Sequence, residues 1–293
     1  MRFSQTSLRY WAEYLAYRLV GFIFTALPLE TSSAVSGRLW RILGPLLQHR
    51  HARAVANLKA AYPDKSDSEI ATLVSAMWDN IGRTFAETFR MDEVASSGRI
   101  TVEDPQGILD EIRASPKGQV ICCAHQANWE IAIGALDSAE TKKPACIYQR
   151  LKNPLIDRLV RESRAKLYPG GVVPKAPEAA RQLIKLVRAG HVLAILADQR
   201  NNGGHLVPFF NRLAPSTPFP ALVARTQGVK LYAGQLIRDP DVRFRFRIVE
   251  IPVPETEDRD ADMLAASTAL QAELERGIRE HPEQWMWSHR RWG

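Results

Sequence analysis

The chain has 293 residues, of which 45% are hydrophobic and 24% charged. This is ordinary globular composition, which excludes disordered, collagen-like and coiled-coil classes, and the length suits one catalytic-size domain with an appended element. Lys and Arg number 39 against 32 Asp and Glu, a net +7, concentrated in two stretches: 141–212 sets fourteen basic residues against Asp157, Glu162, Glu178 and Asp198, and 1–59 sets eight against Glu13 and Glu30. Two local positive fields point to anionic partners: a phospholipid surface, a phosphorylated substrate, an acidic carrier protein or nucleic acid.

Residues 8–29 read LRYWAEYLAYRLVGFIFTALPL. The charge-free part, Leu19 to Leu29, is eleven residues, short of the roughly 20 that span a bilayer. Tyr10, Trp11, Tyr14 and Tyr17 alternate with Arg9, Glu13 and Arg18 before it. Rings at headgroup level and snorkelling Arg side chains make this an expected membrane-associating helix. A core helix and a cleaved signal peptide are the competing readings, the latter opposed by Arg18 inside the apolar region and the lack of a clean A-x-A site.

Helical patterning continues over 37–58, and Pro63–Ser66 is a turn. Asp67 or Ser68 is expected to cap a helix running to Arg90, with Ile70, Leu73, Val74, Met77, Ile81 and Phe85 on one face. From Ile100 the period changes. The β-rich runs 118–124, 144–148, 191–197, 229–237 and 242–251 alternate with helical segments at 129–139, 153–166, 177–189, 218–227 and 260–280. Continuous apolar runs between helices predict an α/β fold: a mostly parallel mixed sheet flanked by helices, its last two strands antiparallel in one arrangement. The expected organisation is an N-terminal helical membrane-associating region, 1–95, followed by an α/β domain, 96–293. Cys122, Cys123 and Cys146 lie in apolar runs without a Cys-x-x-Cys, so buried inert thiols in a reducing compartment are expected rather than disulfides or zinc.

Ligands of open α/β sheets bind beyond the carboxyl ends of the strands. Three predicted strands end in polar residues: His125, Gln126, Asn128 and Glu130 after the first, Gln149-Arg150 after the second, Asp198-Gln199-Arg200 after the third. A neutral imidazole there can take a proton from a hydroxyl, and Glu130, about one turn into a following helix, is expected to hold the ring. The competing reading is a structural His at a helix start. No G-x-S-x-G elbow is present, so the nucleophile is expected to be the substrate's own hydroxyl, attacking an activated acyl group. Asp198-Gln199 before Asn-Asn-Gly-Gly reads equally as a substrate-orienting loop and as a polar turn. Phe209-Phe210 reads as an acyl-channel lining or as core.

On the basic helix 153–166, Arg158 and Lys166 read as solvated, and the stripe of Arg158, Arg161 and Arg164 reads as a solvated face or a phosphate contact. The C-terminal Trp285, Trp287, His289, Arg290, Arg291 and Trp292 read as a headgroup rim or a cap on the site. No nucleic-acid module pattern accompanies them, so no nucleic-acid partner is expected. His49 and His51 have no evident third ligand, so no metal is expected.

An ordered set of motifs runs from about residue 38 to the end. Asn57-Leu58, Tyr62-Pro63, Trp78, Asn80-x-Gly82-Arg83 and Glu87 come first. His125-x4-Glu130, Tyr148, Asn153-Pro154 and Ala197-Asp198-Gln199 follow, then Val207–Phe210, Ala214–Thr217 and Pro282–Trp292. This set resembles the bacterial lipid A late acyltransferases, the lauroyl/myristoyl acyltransferase family; His-x4-Glu alone is shared with wider glycerolipid acyltransferases. The resemblance implies an O-acyltransferase that moves a fatty acyl chain from an acyl carrier protein thioester, or a coenzyme A thioester, to a hydroxyl of a phosphorylated lipid A precursor. It implies a place on the cytoplasmic face of the inner membrane, with His125 as general base, Glu130 as its partner, Arg164 aiding the site and Asp198 at a further polar position. No metal or redox cofactor is expected. Gln126, Asn128, Arg150, Arg164, Asp198 and Gln199 are the substrate-binding candidates. One departure from the family pattern stands out: Tyr-Arg is replaced by Tyr148-Gln149 with Arg150 one place later, and such a shift turns a strand side chain to the other face. Relatives also acylate lysophospholipids and mannosylated phosphatidylinositol. A hydrolase activating water with the same pair and a non-catalytic basic membrane-binding protein are the rivals.

Overall fold

The computed structural model describes residues 5–136 and 143–292. Five helices come first: α1 (Gln5–Ala26), α2 (Leu29–Leu46), α3 (Gln48–Ala61), α4 (Asp67–Glu87) and α5 (Met91–Ser96). The segment 8–29 is interrupted at Pro28, whose extended backbone (φ −52°, ψ 142°) ends α1 before α2 starts. Ser66, one residue before the expected caps, closes α4 with a capping box in which Ser66 and Glu69 satisfy each other's backbone N–H. Gly44 and Gly82 let α2 and α4 approach closely: a Cβ on Gly44 would lie 2.2 Å from the Trp78 ring, and one on Gly82 would lie 2.6 Å from the Ser36 carbonyl oxygen.

Four strands, β1 (Ile100–Glu103), β2 (Gln119–Cys123), β3 (Pro144–Tyr148) and β4 (Gly171–Pro174), are interleaved with α6 (Ile108–Ala114) and α7 (Pro154–Leu167). Then come α8 (Ala179–Arg188), β5 (Val192–Leu196), the hairpin β6 (His205–Phe209) and β7 (Arg212–Ser216), α9 (Phe219–Gln227), β8 (Leu231–Asp239), β9 (Arg243–Ile251) and α10 (Arg259–Glu280). Seven strands form one sheet in the order β1-β9-β8-β2-β5-β3-β4. Every neighbouring pair is parallel except β8/β9, which is antiparallel. The expected mostly parallel mixed sheet is present, and its final pair runs antiparallel.

Burial on both faces explains the unbroken apolar runs. On β2, Val120 and Cys122 join a core with α8, α9 and α10, whereas Ile121 joins a second core with α5, α6 and Phe244 and Phe246 of β9.

The expected helix over 129–139 is absent from its described part. Trp129 and Glu130 lie in a turn, and Ala132–Leu136 is a 3-10 segment; residues 137–139 fall outside the described residues. The backbone after β2 is committed elsewhere. Gln126 bridges to Trp285, and the Ala127 N–H donates to the Gln284 carbonyl at 2.9 Å. Ala127 itself sits at φ +51°, a left-handed conformation that interrupts any helical ladder.

Candidate active site

The carboxyl ends of β2, β3 and β5 open on a cleft of about 530 Å³. Its inner walls are apolar, with Ile121, Ile133, Leu136, Cys146, Ala194 and Phe246 among them; His125, Gln199 and the Glu130–Arg164 pair also line it. His125 follows β2 and Asp198 follows β5, adjacent parallel strands whose register sets Cys123 against Leu196. That pairing brings the two residues together across 73 positions of sequence.

Asp198 Oδ1 lies 2.7 Å from His125 Nδ1, and Oδ2 accepts the His125 backbone N–H at 2.9 Å and the Trp285 indole N–H at 2.7 Å. Burial alone would raise the Asp198 carboxyl; the charge of His125 and these hydrogen bonds outweigh it and hold the carboxyl down at about 2. An ionised Asp198 fixes the proton on Nδ1 and leaves Nε2 as the acceptor nitrogen. Gln199 Nε2 stands 3.1 Å from that nitrogen.

The partner of the ring is therefore Asp198, which corrects the expectation that Glu130 holds it. Glu130, without a helix to carry it back, pairs bidentately with Arg164: Nε to Oε2 at 2.8 Å and Nη2 to Oε1 at 2.5 Å. Burial works against the Arg164 charge, but the hydrogen bonds and charge of Glu130 prevail and raise its pKa. The sequence pairs residues five apart, whereas the fold pairs the ends of neighbouring strands.

Two expected substrate contacts are placed elsewhere. Gln126 is buried and donates to the Gly277 carbonyl at 3.2 Å. Asn128 is buried and donates to Glu87 Oε2 at 2.8 Å. Both amides are used inside the fold. Gln149 lines the cleft while its exposed neighbour Arg150 does not, the face change that the one-residue shift implies. Arg158 pairs with Glu162 and Lys166 with Asp92, both on the surface. Phe209 and Phe210 are fully buried against Trp285, Trp287 and Trp292 and belong to the core. His51 accepts from the Trp78 indole at 3.2 Å, a structural contact. Among the described residues no group of three or more His, Cys, Asp or Glu is arranged to hold a metal.

Cys123 and Cys146 also line the cleft, and burial pushes both thiols up to about 12. Neither is a thiolate near neutral pH, which disqualifies both as nucleophiles. Sequence reasoning named two supporting residues without their contacts. Trp285 was legible as part of a C-terminal headgroup rim or a cap on the site, but its bond to Asp198 was not. Glu87 is fully buried in α4 and anchors Asn128; the sequence offered it only as one of the ordered motif residues, on a helix face it shares with Asn80 and Thr84.

The family described as bacterial lipid A biosynthesis acyltransferase matches residues 2–293. Lipid A biosynthesis acyltransferase 2 of Shigella flexneri is 25% identical over 288 residues, covering 95% of this chain and 88% of that protein. The lipid A biosynthesis myristoyltransferase of Escherichia coli (strain K12) is 24% identical, with 95% and 86% covered. Lipid A biosynthesis acyltransferase 1 of Shigella flexneri is 23% identical over the same shares. A match spanning nearly the whole chain, together with a His–Asp pair at the mouth of an apolar cleft, places this protein in the bacterial lipid A biosynthesis acyltransferase family.

Proposed function

We propose that the protein transfers a fatty acyl chain from an acyl carrier protein thioester to a hydroxyl of a lipid A precursor at a membrane surface. The observation that carries this reading is the His125–Asp198 pair, with Nε2 turned to a residue lining a cleft with apolar walls and neither cleft thiol ionised. The acceptor hydroxyl displaces the Gln199 amide and hydrogen-bonds to Nε2. As its oxygen attacks the thioester carbonyl, the proton passes to Nε2, and Asp198 stabilises the imidazolium. The tetrahedral intermediate collapses with loss of the carrier thiolate, which recovers the proton from the imidazolium, leaving a new ester and a free carrier thiol. The base needs no cofactor for this sequence. Glu130 and Arg164 hold one wall of the cleft as a neutralised pair.

Membrane contact is part of the proposal. Leu8, Trp11, Leu15, Leu19 and Phe22 recur at helical spacing along α1, and Val35, Leu39, Ile42 and Leu46 along α2, all exposed. Two unpartnered apolar rows suit the headgroup boundary of one leaflet. No helix among the described residues is long and apolar enough to cross a membrane.

The test is an acyl-transfer assay on purified membranes with acyl carrier protein loaded at several chain lengths and a Kdo-bearing tetra-acyl lipid A precursor, read by mass spectrometry. The expected result is a gain of one acyl group, with kcat lowered ~10²–10⁴-fold in His125→Ala. A gain only with a lysophospholipid or a mannosylated phosphatidylinositol moves the acceptor; free fatty acid without acceptor identifies a hydrolase; wild-type turnover in His125→Ala removes the mechanism.

A further inference from the structure

The two arginines near the C-terminus meet opposite fates. Arg291 is buried and turned inward, donating to the Pro215 carbonyl at 2.8 Å, to Ser216 Oγ at 2.5 Å and to Gln271 Oε1 at 3.0 Å. With Arg291 anchored between α10 and the β6–β7 hairpin, its neighbour Arg290 is exposed. There it meets α3. Asn57 of that helix donates to the Trp287 and His289 carbonyls at 2.8 and 3.1 Å, and Arg53 Nη1 donates to the Ser288 carbonyl at 3.1 Å. Arg50 and Arg53 lie one turn apart on α3, and the Arg53 hydrogen bond to Ser288 holds the segment that carries Arg290 beside that turn; burial first, then the charges of Arg290 and Arg50, lower the Arg53 guanidinium. None of the three has a carboxylate within 4.0 Å among the described residues, whereas Arg41 and Arg83 nearby in the helical region share Asp79. Crowded, unneutralised arginines raise one another's free energy, and an anion that bridges them relieves it.

The cluster is tied to the catalytic pair through the backbone. The Met286 N–H donates to the His125 carbonyl at 3.2 Å, and the His289 N–H donates to the Met286 carbonyl at 3.4 Å. On its other side, Arg50 follows the end of α2, where Leu43, Leu46 and Leu47 are exposed. The segment that carries Arg290 is thus bonded to the His125 backbone, and the helix that carries Arg50 and Arg53 follows an exposed apolar helix end.

We propose that Arg50, Arg53 and Arg290 form a phosphate subsite that holds the phosphate of a phosphorylated lipid acceptor while its hydroxyl reaches His125. The occupant is a lipid-borne phosphate because the apolar end of α2 adjoins the cluster. The inference rests on the acyl-transfer reading for its place in the reaction, but the anion site itself can be tested without turnover.

Arg50→Ala/Arg290→Ala alters two exposed side chains and leaves the Arg53 hydrogen bond in place. Its kinetics are compared with wild type on a phosphorylated lipid A precursor and on the same precursor after phosphatase treatment. The KM for the phosphorylated acceptor is expected to rise ~10-fold or more, the loss of at least one charge-assisted hydrogen bond. Both kcat and the carrier-thioester KM should stay within about twofold. With the dephosphorylated acceptor the variant and wild type should match. A rise in the donor KM would assign the cluster to the carrier and overturn the proposal, as would an equal loss on both acceptors. In a second arm, flotation with phosphatidylcholine vesicles doped with phosphatidic acid is compared with undoped vesicles, with Arg181→Ala/Arg188→Ala as a charge-matched control. Selective loss of phosphatidic acid binding in the Arg50/Arg290 variant supports the subsite even if wild type acylates no acceptor. Equal loss in both double variants overturns it.

Discussion

The indole Nε1 of Trp285 donates to Asp198 Oδ2 at 2.7 Å, the oxygen that also accepts the His125 backbone N–H. The C-terminal segment thus reaches into the His125–Asp198 pair and helps keep its carboxylate ionised. Replacing Asp198 by Asn preserves shape but removes the charge that stabilises the imidazolium, and kcat should fall ~10³–10⁴-fold with the fold intact by circular dichroism. Trp285→Phe removes one charge-assisted hydrogen bond, expected to cost about 2 kcal/mol of stability in urea unfolding. The folded Asp198 lies at about 2, below roughly 3.9 in an unfolded chain. Its contribution is therefore present above the unfolded value and lost as pH falls from about 4 toward 2. Trp285→Phe should shrink this acid-limb loss, and an unchanged acid titration would show that the indole does not tune the carboxylate.

Glu130 and Arg164 are mutually neutralised in a partly enclosed wall, with side-chain exposures of 13% and 21%. Removing one partner leaves the other charge unpaired. Glu130→Gln should lose on the order of 2–3 kcal/mol, under the figure for fully buried pairs because the cleft admits water. Glu130→Gln/Arg164→Met should recover much of that stability. If activity remains low in the restored double variant, the pair acts in the reaction; if activity returns with stability, its role is structural.

Among the described residues Glu87 forms the most buried ion pair, itself fully buried and 2.6 and 2.9 Å from the largely buried Arg238. It also accepts from Ser33 at 2.7 Å and from Asn128 at 2.8 Å, joining α2, α4, β8 and the His125 turn. Arg238 further donates to Asn80 Oδ1 at 2.8 Å, and the Asn80 and Thr84 side chains donate to the Ala127 carbonyl. Glu87→Ala should destabilise by about 3–5 kcal/mol in equilibrium unfolding, the cost of an uncompensated buried guanidinium. Wild-type stability in that variant would mean that the network relaxes without it.

The thiols give a separate pH signature. Cys123 and Cys146 titrate at about 12 because burial disfavours the thiolate, whereas unfolded cysteine titrates near roughly 8.5. The unfolded state alone gains from ionisation in that window, so the stability these buried thiols contribute is intact below about 8.5 and lost as pH rises toward 12. A thiol reagent at pH 8 should modify neither cysteine until denaturant is added. Stoichiometric labelling of the native protein would show a cleft thiol ionising near its unfolded value.

Much of this was readable from residue order. The apolar runs at β2, β3, β5 and β8 identified strands buried on both faces, β9 was legible from its alternating pattern, and polar residues after three strands marked the end that carries the cleft. The short strands β1 and β4 and the β6–β7 hairpin were missed because four or five residues with mixed burial carry little periodicity. The His125–Asp198 pair was hidden for a different reason. His-x4-Glu assumes a helix after the strand, and the chain there instead bridges to Trp285, a contact set by residues more than 150 positions away. Arg164 was placed at the cleft by resemblance, but its partner became legible only with α7 in place.

The cleft walls bear on acyl-chain length. Ala194 lies mid-strand on β5 with its side chain at the cleft, facing a lining that includes Ile121, Cys146 and Phe246. Enlarging it fills space that an acyl tail occupies under the proposed reaction. Each methylene then excluded loses about 0.8 kcal/mol, roughly fourfold in affinity. Ala194→Phe should therefore shift the preferred carrier-bound chain to a shorter one in a competition assay with mixed acyl lengths, with overall turnover on that shorter chain close to wild type. An unchanged length profile with uniformly reduced turnover would mean that the tail lies elsewhere and that Ala194 matters for packing alone.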